Sequence, residues 1–274
     1  MSDQMTVLEV RDLVKTYSTG VRALDGLSFS VRRGIIFGFI GLNGAGKSST
    51  IRIIAGLSRQ DEGTIRVFGE EVTPRDEEYK RRVGFVLDEP LYFDWMAAGS
   101  YLHFVGVMEG LQDDEAWKRA DELLDFLDLG GKGDDPIATF STGMKKKVSL
   151  AAAIIHKPAL IVLDEPLEGV DALAAAGIKS TLAVLAAAGS TVVITSHVLD
   201  TIERLCSEIG IIHAGKLLLQ GPTDQIHTMA VERSLGVPAT TLEELFVGLV
   251  SGPSITKTIP FLSNDSPLDH RSSG

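Results

Sequence analysis

The chain carries one cysteine among 274 residues, Cys206, which excludes an intrachain disulfide and points to a reducing compartment. Cys206 reads as a small buried apolar residue. Positive charge is also scarce. With 26 Lys and Arg against 37 Asp and Glu, the formal net charge is −11, which excludes a general nucleic-acid or anionic-membrane surface, because those partners select clustered cations. The exception is the run Lys145-Lys146-Lys147. No basic segment followed by an apolar core opens the sequence, so no secretory leader is expected. The longest apolar stretch, Ala172 to Ala188, is Ala-rich and interrupted by Lys179 and Ser180-Thr181. It suits a soluble helix rather than a membrane span.

What remains is a chain of 44% hydrophobic residues, long enough for one large α/β domain or a domain with a smaller subdomain. Its organising stretch is Gly41-Leu42-Asn43-Gly44-Ala45-Gly46-Lys47-Ser48, between the apolar run 35–40 and the pattern Ser49-Thr50-Ile51-Arg52-Ile53-Ile54. This reads as strand, phosphate loop and helix. The glycines let backbone N–H groups turn inward, and the following helix adds its positive N-terminal end. In the G-x-x-x-x-G-K-[ST] pattern, Lys47 reaches the β- and γ-phosphates and the Ser48 hydroxyl meets Mg²⁺. The chain is therefore expected to bind a nucleoside triphosphate.

Two alternating runs, Val7 to Tyr17 and Val21 to Arg32, predict a small antiparallel sheet beside this loop. Tyr17 either stacks on a nucleotide base or packs in the core, and spacing does not decide between them. Further strands are predicted at 64–68 and at 83–87, the latter ending in Asp88-Glu89-Pro90. Two helical patterns over 96–129, broken by Gly130-Gly131-Lys132-Gly133, form an insertion between the halves of the α/β unit. Phe140-Ser141-Thr142-Gly143 precedes a helix over about 144–156, with Ser141 or Thr142 as its cap and Gly143 allowing close approach. The three lysines oppose that helix's dipole unless an anion or acidic partner lies nearby; as one explanation, a solvated basic face is preferred.

Leu160-Ile161-Val162-Leu163 is a buried-strand signal ending in Asp164-Glu165. In a phosphate-loop nucleotidase Asp164 binds Mg²⁺ through water, while Glu165 orients the attacking water or accepts its proton. Asp171 caps an Ala-rich helix. A strand at 191–195 ends at Ser196-His197, placing His197 to contact the γ-phosphate, and a hairpin over 209–221 turns at Ala214-Gly215. From residue 251 the sequence loses periodicity and reads as a mobile tail.

With these pieces in order, residues 6–250 resemble the ATP-binding subunit of an ABC transporter. Gly41 to Ser48 matches the Walker A loop, Leu160 to Asp164 the Walker B strand with Glu165 next, and Asp171 and His197 the D-loop and switch positions. Tyr17 matches the adenine-stacking aromatic. The resemblance implies a P-loop NTPase core of ABC-ATPase type, an N-terminal antiparallel β subdomain and a helical subdomain near 89–158 inserted in a cassette spanning 1–250. It implies ATP and Mg²⁺ as cofactors, with Gly41, Asn43, Gly44, Ala45, Gly46, Lys47, Ser48 and Ser49 around the phosphates. Two such subunits close head to tail, Ser141, Gly143 and Asp171 of each facing ATP on the other.

The signature reads Phe140-Ser141-Thr142-Gly143-Met144, where Leu-Ser-Gly-Gly-Gln is usual, and Asp88 stands where a glutamine is usual. Asp88 keeps an oxygen ligand and is expected to meet Mg²⁺ through a bridging water, with Glu89-Pro90 stiffening the loop. This style of signature is most similar to the drug, antibiotic or polysaccharide exporter branch. The implied function is ATP hydrolysis at the inner face of the cell membrane, from the cytoplasmic side, powering export through separate membrane-spanning subunits. A soluble ABC-type ATPase acting on ribosomes or DNA usually carries two cassettes or a long coiled coil. A phosphate-loop kinase would leave Ser141-Thr142-Gly143 and His197 unexplained.

Overall fold

The computed structural model describes residues 6–88, 92–232 and 241–251. Glu89-Pro90 and the expected tail beyond Ser251 lie outside them. Alternation in the first two runs gives strands β1 (Thr6–Thr16) and β2 (Arg22–Arg32), paired antiparallel. β4 (Glu62–Val67) joins the other edge of β1, and β5 (Glu70–Glu71) follows it, so the sheet order is β2-β1-β4-β5.

The second sheet takes the continuous apolar runs. Strands β3 (Ile36–Ile40), β6 (Val83–Val86), β7 (Leu160–Leu163), β8 (Thr191–Ser196), β9 (Glu208–His213) and β10 (Lys216–Pro222) lie in the order β10-β9-β3-β8-β7-β6. All neighbours are parallel except β10 against β9. Both faces are covered, which is why these strands show no polar alternation. Ile36, Ile40, Ile161, Leu163, Val192 and Ile194 pack toward the helices, whereas Phe37, Phe39, Leu160, Val162 and Val193 pack toward the first sheet. Burying each such side chain contributes on the order of 1.5–3 kcal/mol. Phe29 of β2 stacks on Phe39 with centroids 4.9 Å apart and on Phe37 at 5.9 Å, joining the two sheets.

Helix α1 (Lys47–Ile54) follows β3. Between β6 and β7 run α2 (Ala98–Met108), α3 (Asp113–Phe126) and α4 (Thr142–Ile154), and α4 passes from the helical layer onto β6. Thereafter come α5 (Ala172–Ala187), α6 (Leu199–Leu205), α7 (Ile226–Glu232) and α8 (Leu242–Ser251). Cys206 is buried, and burial pushes its thiol up to about 12.

Because β3, β6, β7 and β8 are parallel, the loop from Gly41, Asp88, Asp164-Glu165 and His197 all emerge at one edge of the sheet. That carboxyl edge is where α/β sheets place ligands.

Candidate active site

The phosphate loop is shaped by backbone that other residues would resist. Gly46 sits at φ 113°, and a Cβ there would stand 2.7 Å from the Ala23 carbonyl oxygen. Lys47 opens α1 with its side chain nearly out of water, Nζ donating to Gly41 O at 2.7 Å and Leu42 O at 3.4 Å. Asn43, Gly44, Gly46, Lys47, Ser48 and Ser49 line a cleft of about 450 Å³, together with Tyr17, Val21, Asp88, Glu165 and Glu168. Gly41 is near as the acceptor for Lys47, and Ala45 is buried behind the loop.

Glu165 is hydrogen-bonded at its N–H, its carbonyl and Oε2, while among the described residues the buried Oε1 accepts no hydrogen bond and has only an ion pair. Its N–H donates to Thr195 Oγ1 at 2.9 Å, its carbonyl accepts from Glu168 N at 3.2 Å and Lys146 Nζ at 3.3 Å, Oε1 pairs with Lys47 Nζ at 3.3 Å, and Oε2 meets His197 Nδ1 at 3.1 Å. The residue adopts φ 46°, a left-handed conformation that costs a non-glycine residue about 1–3 kcal/mol and persists where surroundings over-determine it. Asp164 is 2% exposed, and Thr195 Oγ1 donates to its Oδ1 at 2.7 Å. One hydroxyl thus fixes both members of the carboxylate pair.

Tyr17 stands just beyond β1 at the cleft's mouth, half-buried, its hydroxyl donating to Ser49 Oγ at 3.0 Å. It belongs to neither core cluster, which favours the base-stacking alternative over core packing. Asp88 also lines the cleft, with Oδ1 3.9 Å from Lys146 Nζ.

Ser141, Gly143 and Asp171 are not brought to this cleft. Ser141 caps α4, accepting from Met144 N at 3.3 Å, and Asp171 caps α5, accepting from Leu173 N and Ala174 N at 3.0 Å each. A Cβ on Gly143 would lie 2.8 Å from Ala174 Cβ, so this glycine lets α4 approach α5. Ser141, Met144, Asp171 and Ala174 line a second, smaller depression, which shares no residue with the first.

The basic run corrects the expectation of a solvated face. Lys146 and Lys147 are only 8% and 7% exposed. Each lysine has its own aspartate: Lys145 Nζ lies 3.4 Å from Asp94, Lys146 3.9 Å from Asp88, and Lys147 3.3 Å from Asp128. Acidic partners from three separate segments relieve the unfavourable dipole, the condition the sequence left open. Sequence reasoning also missed Thr195 and Glu168; a threonine at the end of a buried strand was the available signal for the first.

Comparison with known proteins agrees with this geometry. Residues 24–168 match the ABC transporter family. The chain is 36% identical over 242 residues to the linearmycin resistance ATP-binding protein of Bacillus subtilis, covering 88% of this chain and 78% of that one. The chain belongs to the ABC transporter family. As an ATP-binding subunit of that family it binds and hydrolyses ATP. It is also 36% identical over 222 residues to the Nod factor export ATP-binding protein I of Ralstonia nicotianae, covering 81% of this chain and 69% of that one. A solved ATP-binding subunit of an ABC transporter superposes with TM-score 0.78 at 32% identity, covering 89% of this chain and 99% of that structure. The P-loop cassette expected from the sequence is the fold observed.

Proposed function

We propose that this ABC subunit works in a head-to-tail pair of ATP-binding subunits, and that hydrolysis in the pair drives export by separate membrane-spanning subunits. The observation carrying this reading is the separation of its two half-sites. Lys47, Ser48 and Glu165 line one cleft, while Ser141 and Asp171 line another. Each half is then completed by its opposite number on a second subunit.

In the completed site the triphosphate lies along the N–H groups of the Gly41–Ser48 loop, with Lys47 on the β- and γ-phosphates and the base on Tyr17. Glu165 orients a water and takes its proton as the water oxygen attacks the γ-phosphorus and the bond to the bridging oxygen breaks, giving ADP and phosphate. His197 positions the Glu165 carboxylate through its 3.1 Å contact. The oxygen-only donors of Ser48, Asp164 and Asp88 suit a hard divalent cation such as Mg²⁺. When bound, Mg²⁺ supplies charge neutralisation between the β- and γ-phosphates.

Among the described residues no helix is long and apolar enough to cross a membrane. In this reading the path through the membrane belongs to separate subunits, and the ATP-binding subunit sits against their cytoplasmic face. A groove beside β6 and α2, lined by Phe85, Leu87, Tyr101 and Val105 together with Lys80, Glu109 and His156, offers them a seat of mixed character. Beside it on α2, the Phe104 ring meets Phe93, which meets the 76% exposed Trp95. The relatives named above are a linearmycin resistance protein and a Nod factor export protein, and this supports export as the direction.

Mixing two inactive variants tests the pair. Lys47→Ala is expected to lose phosphate affinity, and Ser141→Ala to keep ATP binding but dimerise and hydrolyse poorly. Mixed, they form one site with both residues intact, so partial ATPase activity returns. Heterodimers that form yet stay inactive would overturn the composite site.

A further inference from the structure

The side chain of Lys146 carries its ammonium into the protein, where it donates to Glu165 O at 3.3 Å and Asp88 O at 3.4 Å. A buried ammonium needs such acceptors, since desolvation is otherwise costly. These two carbonyls belong to residues two places beyond the ends of β7 and β6, the parallel strands that present Glu165 and Asp88 to the ATP cleft. Glu165 is a non-glycine residue of this edge held in the left-handed region, at φ 46°. Further along the chain, the Tyr92 hydroxyl contacts Lys145 O at 2.9 Å and Ser149 Oγ at 2.6 Å, so α4 contacts both Asp88 and Tyr92.

We propose that Lys146 is a positioning residue for hydrolysis: its ammonium clamps the Glu165 and Asp88 peptides together, fixing the turn that aims the Glu165 carboxylate. The inference rests on the role proposed above for Glu165. Lys146 touches neither the phosphates nor the attacking water; it acts through the peptide it holds. Because the same ammonium holds the Asp88 carbonyl, a displacement of Asp88 moves the Glu165 carboxylate with it. The first turn of α4 is thereby a mechanical link between the surface around Tyr92 and the hydrolytic water.

The test compares Lys146→Met, Lys146→Gln and Lys146→Arg in the full chain, alone and with Glu165→Gln. Lys146→Met is expected to lower kcat by about tenfold to a hundredfold, the scale of a small misplacement of a reacting group, while KM for ATP stays within about twofold. Lys146→Arg, which can donate to both carbonyls, restores most of the rate, and Lys146→Gln falls between. In the Glu165→Gln background Lys146→Met costs nothing further, because the group it positions is already gone. An unchanged kcat, a KM that rises with the loss, an arginine no better than glutamine, or fully additive losses with Glu165→Gln would overturn the proposal. Should Lys146→Met fail to fold, the Arg and Gln variants carry the same comparison. If Glu165→Gln alone leaves turnover intact, the reading of Glu165 fails instead, whatever Lys146 does.

Discussion

Lys47 and Glu165 form an ion pair across the cleft, Nζ to Oε1 3.3 Å, with both side chains less than a tenth exposed. The two residues that the proposed mechanism assigns to phosphate and to water therefore hold each other. A triphosphate entering the cleft competes with the carboxylate for the ammonium, and a phosphate that wins leaves Oε1 free for water. Binding and activation of the base become one exchange.

Replacing Glu165 with glutamine keeps a contact to Lys47 but removes the proton acceptor. Glu165→Gln is expected to bind ATP with near-normal affinity while turnover falls by roughly a hundredfold or more, the scale of a lost general base. ATP-bound dimer accumulates, and size-exclusion chromatography with ATP measures it. Near-normal turnover would remove Glu165 from this role.

Asp88 stands between Lys146 and the cleft, its side chain about half exposed. If it reaches Mg²⁺ through water, Asp88→Ala retains ATP binding but raises the Mg²⁺ needed for half-maximal hydrolysis by roughly tenfold, the lower end of what losing an outer-shell metal partner costs. Asp88→Gln recovers most of it. A titration of rate against Mg²⁺ decides, and an unchanged requirement leaves Asp88 as a partner of Lys146 alone.

His156 follows α4 and lines the groove against β6. Burial holds its pKa below the ordinary 6.5, outweighing the charge of Glu109, which pulls the other way. The unfolded chain therefore takes up this proton more readily than the folded one. The contribution of neutral His156 is full above pH 6.5 and is lost as pH falls through the lower folded value. Urea midpoints should be level above about pH 7 and drop below pH 6.5, and His156→Gln should flatten that drop.

The fold was legible where local pattern and tertiary role coincide. Leu160 to Leu163 read as a buried strand because both of its faces are covered, and Asp171 read as a cap because its carboxylate serves N–H groups two and three residues on. The start of α4 was legible with Ser141 or Thr142 as its cap, and the hydrogen bond from Met144 N settles it on Ser141; that Ser141 lies away from Lys47 followed from the family resemblance and not from local pattern. Lys146 was hidden for a related cause. Three consecutive lysines look solvated, and only carbonyls more than 15 residues away in sequence turn one of them inward. Helices α6 to α8 drew no expectation at all. Their apolar faces are short; α6 and α7 pack on β3 and β10, α8 packs on α6 and α7, and these contacts rather than their own periodicity stabilise them.

The cleft treats the two ends of a nucleotide differently. At the phosphate end the lining is the Leu42–Ser49 loop and helix start with the carboxylates of Asp88, Glu165 and Glu168; at its mouth the described lining is the Tyr17 ring, Val21 and Ala23. A ring face and two aliphatic side chains accept any flat base. With the base on Tyr17, as proposed, discrimination between adenine and guanine is expected to be weak, and the choice of fuel would fall to abundance rather than to recognition.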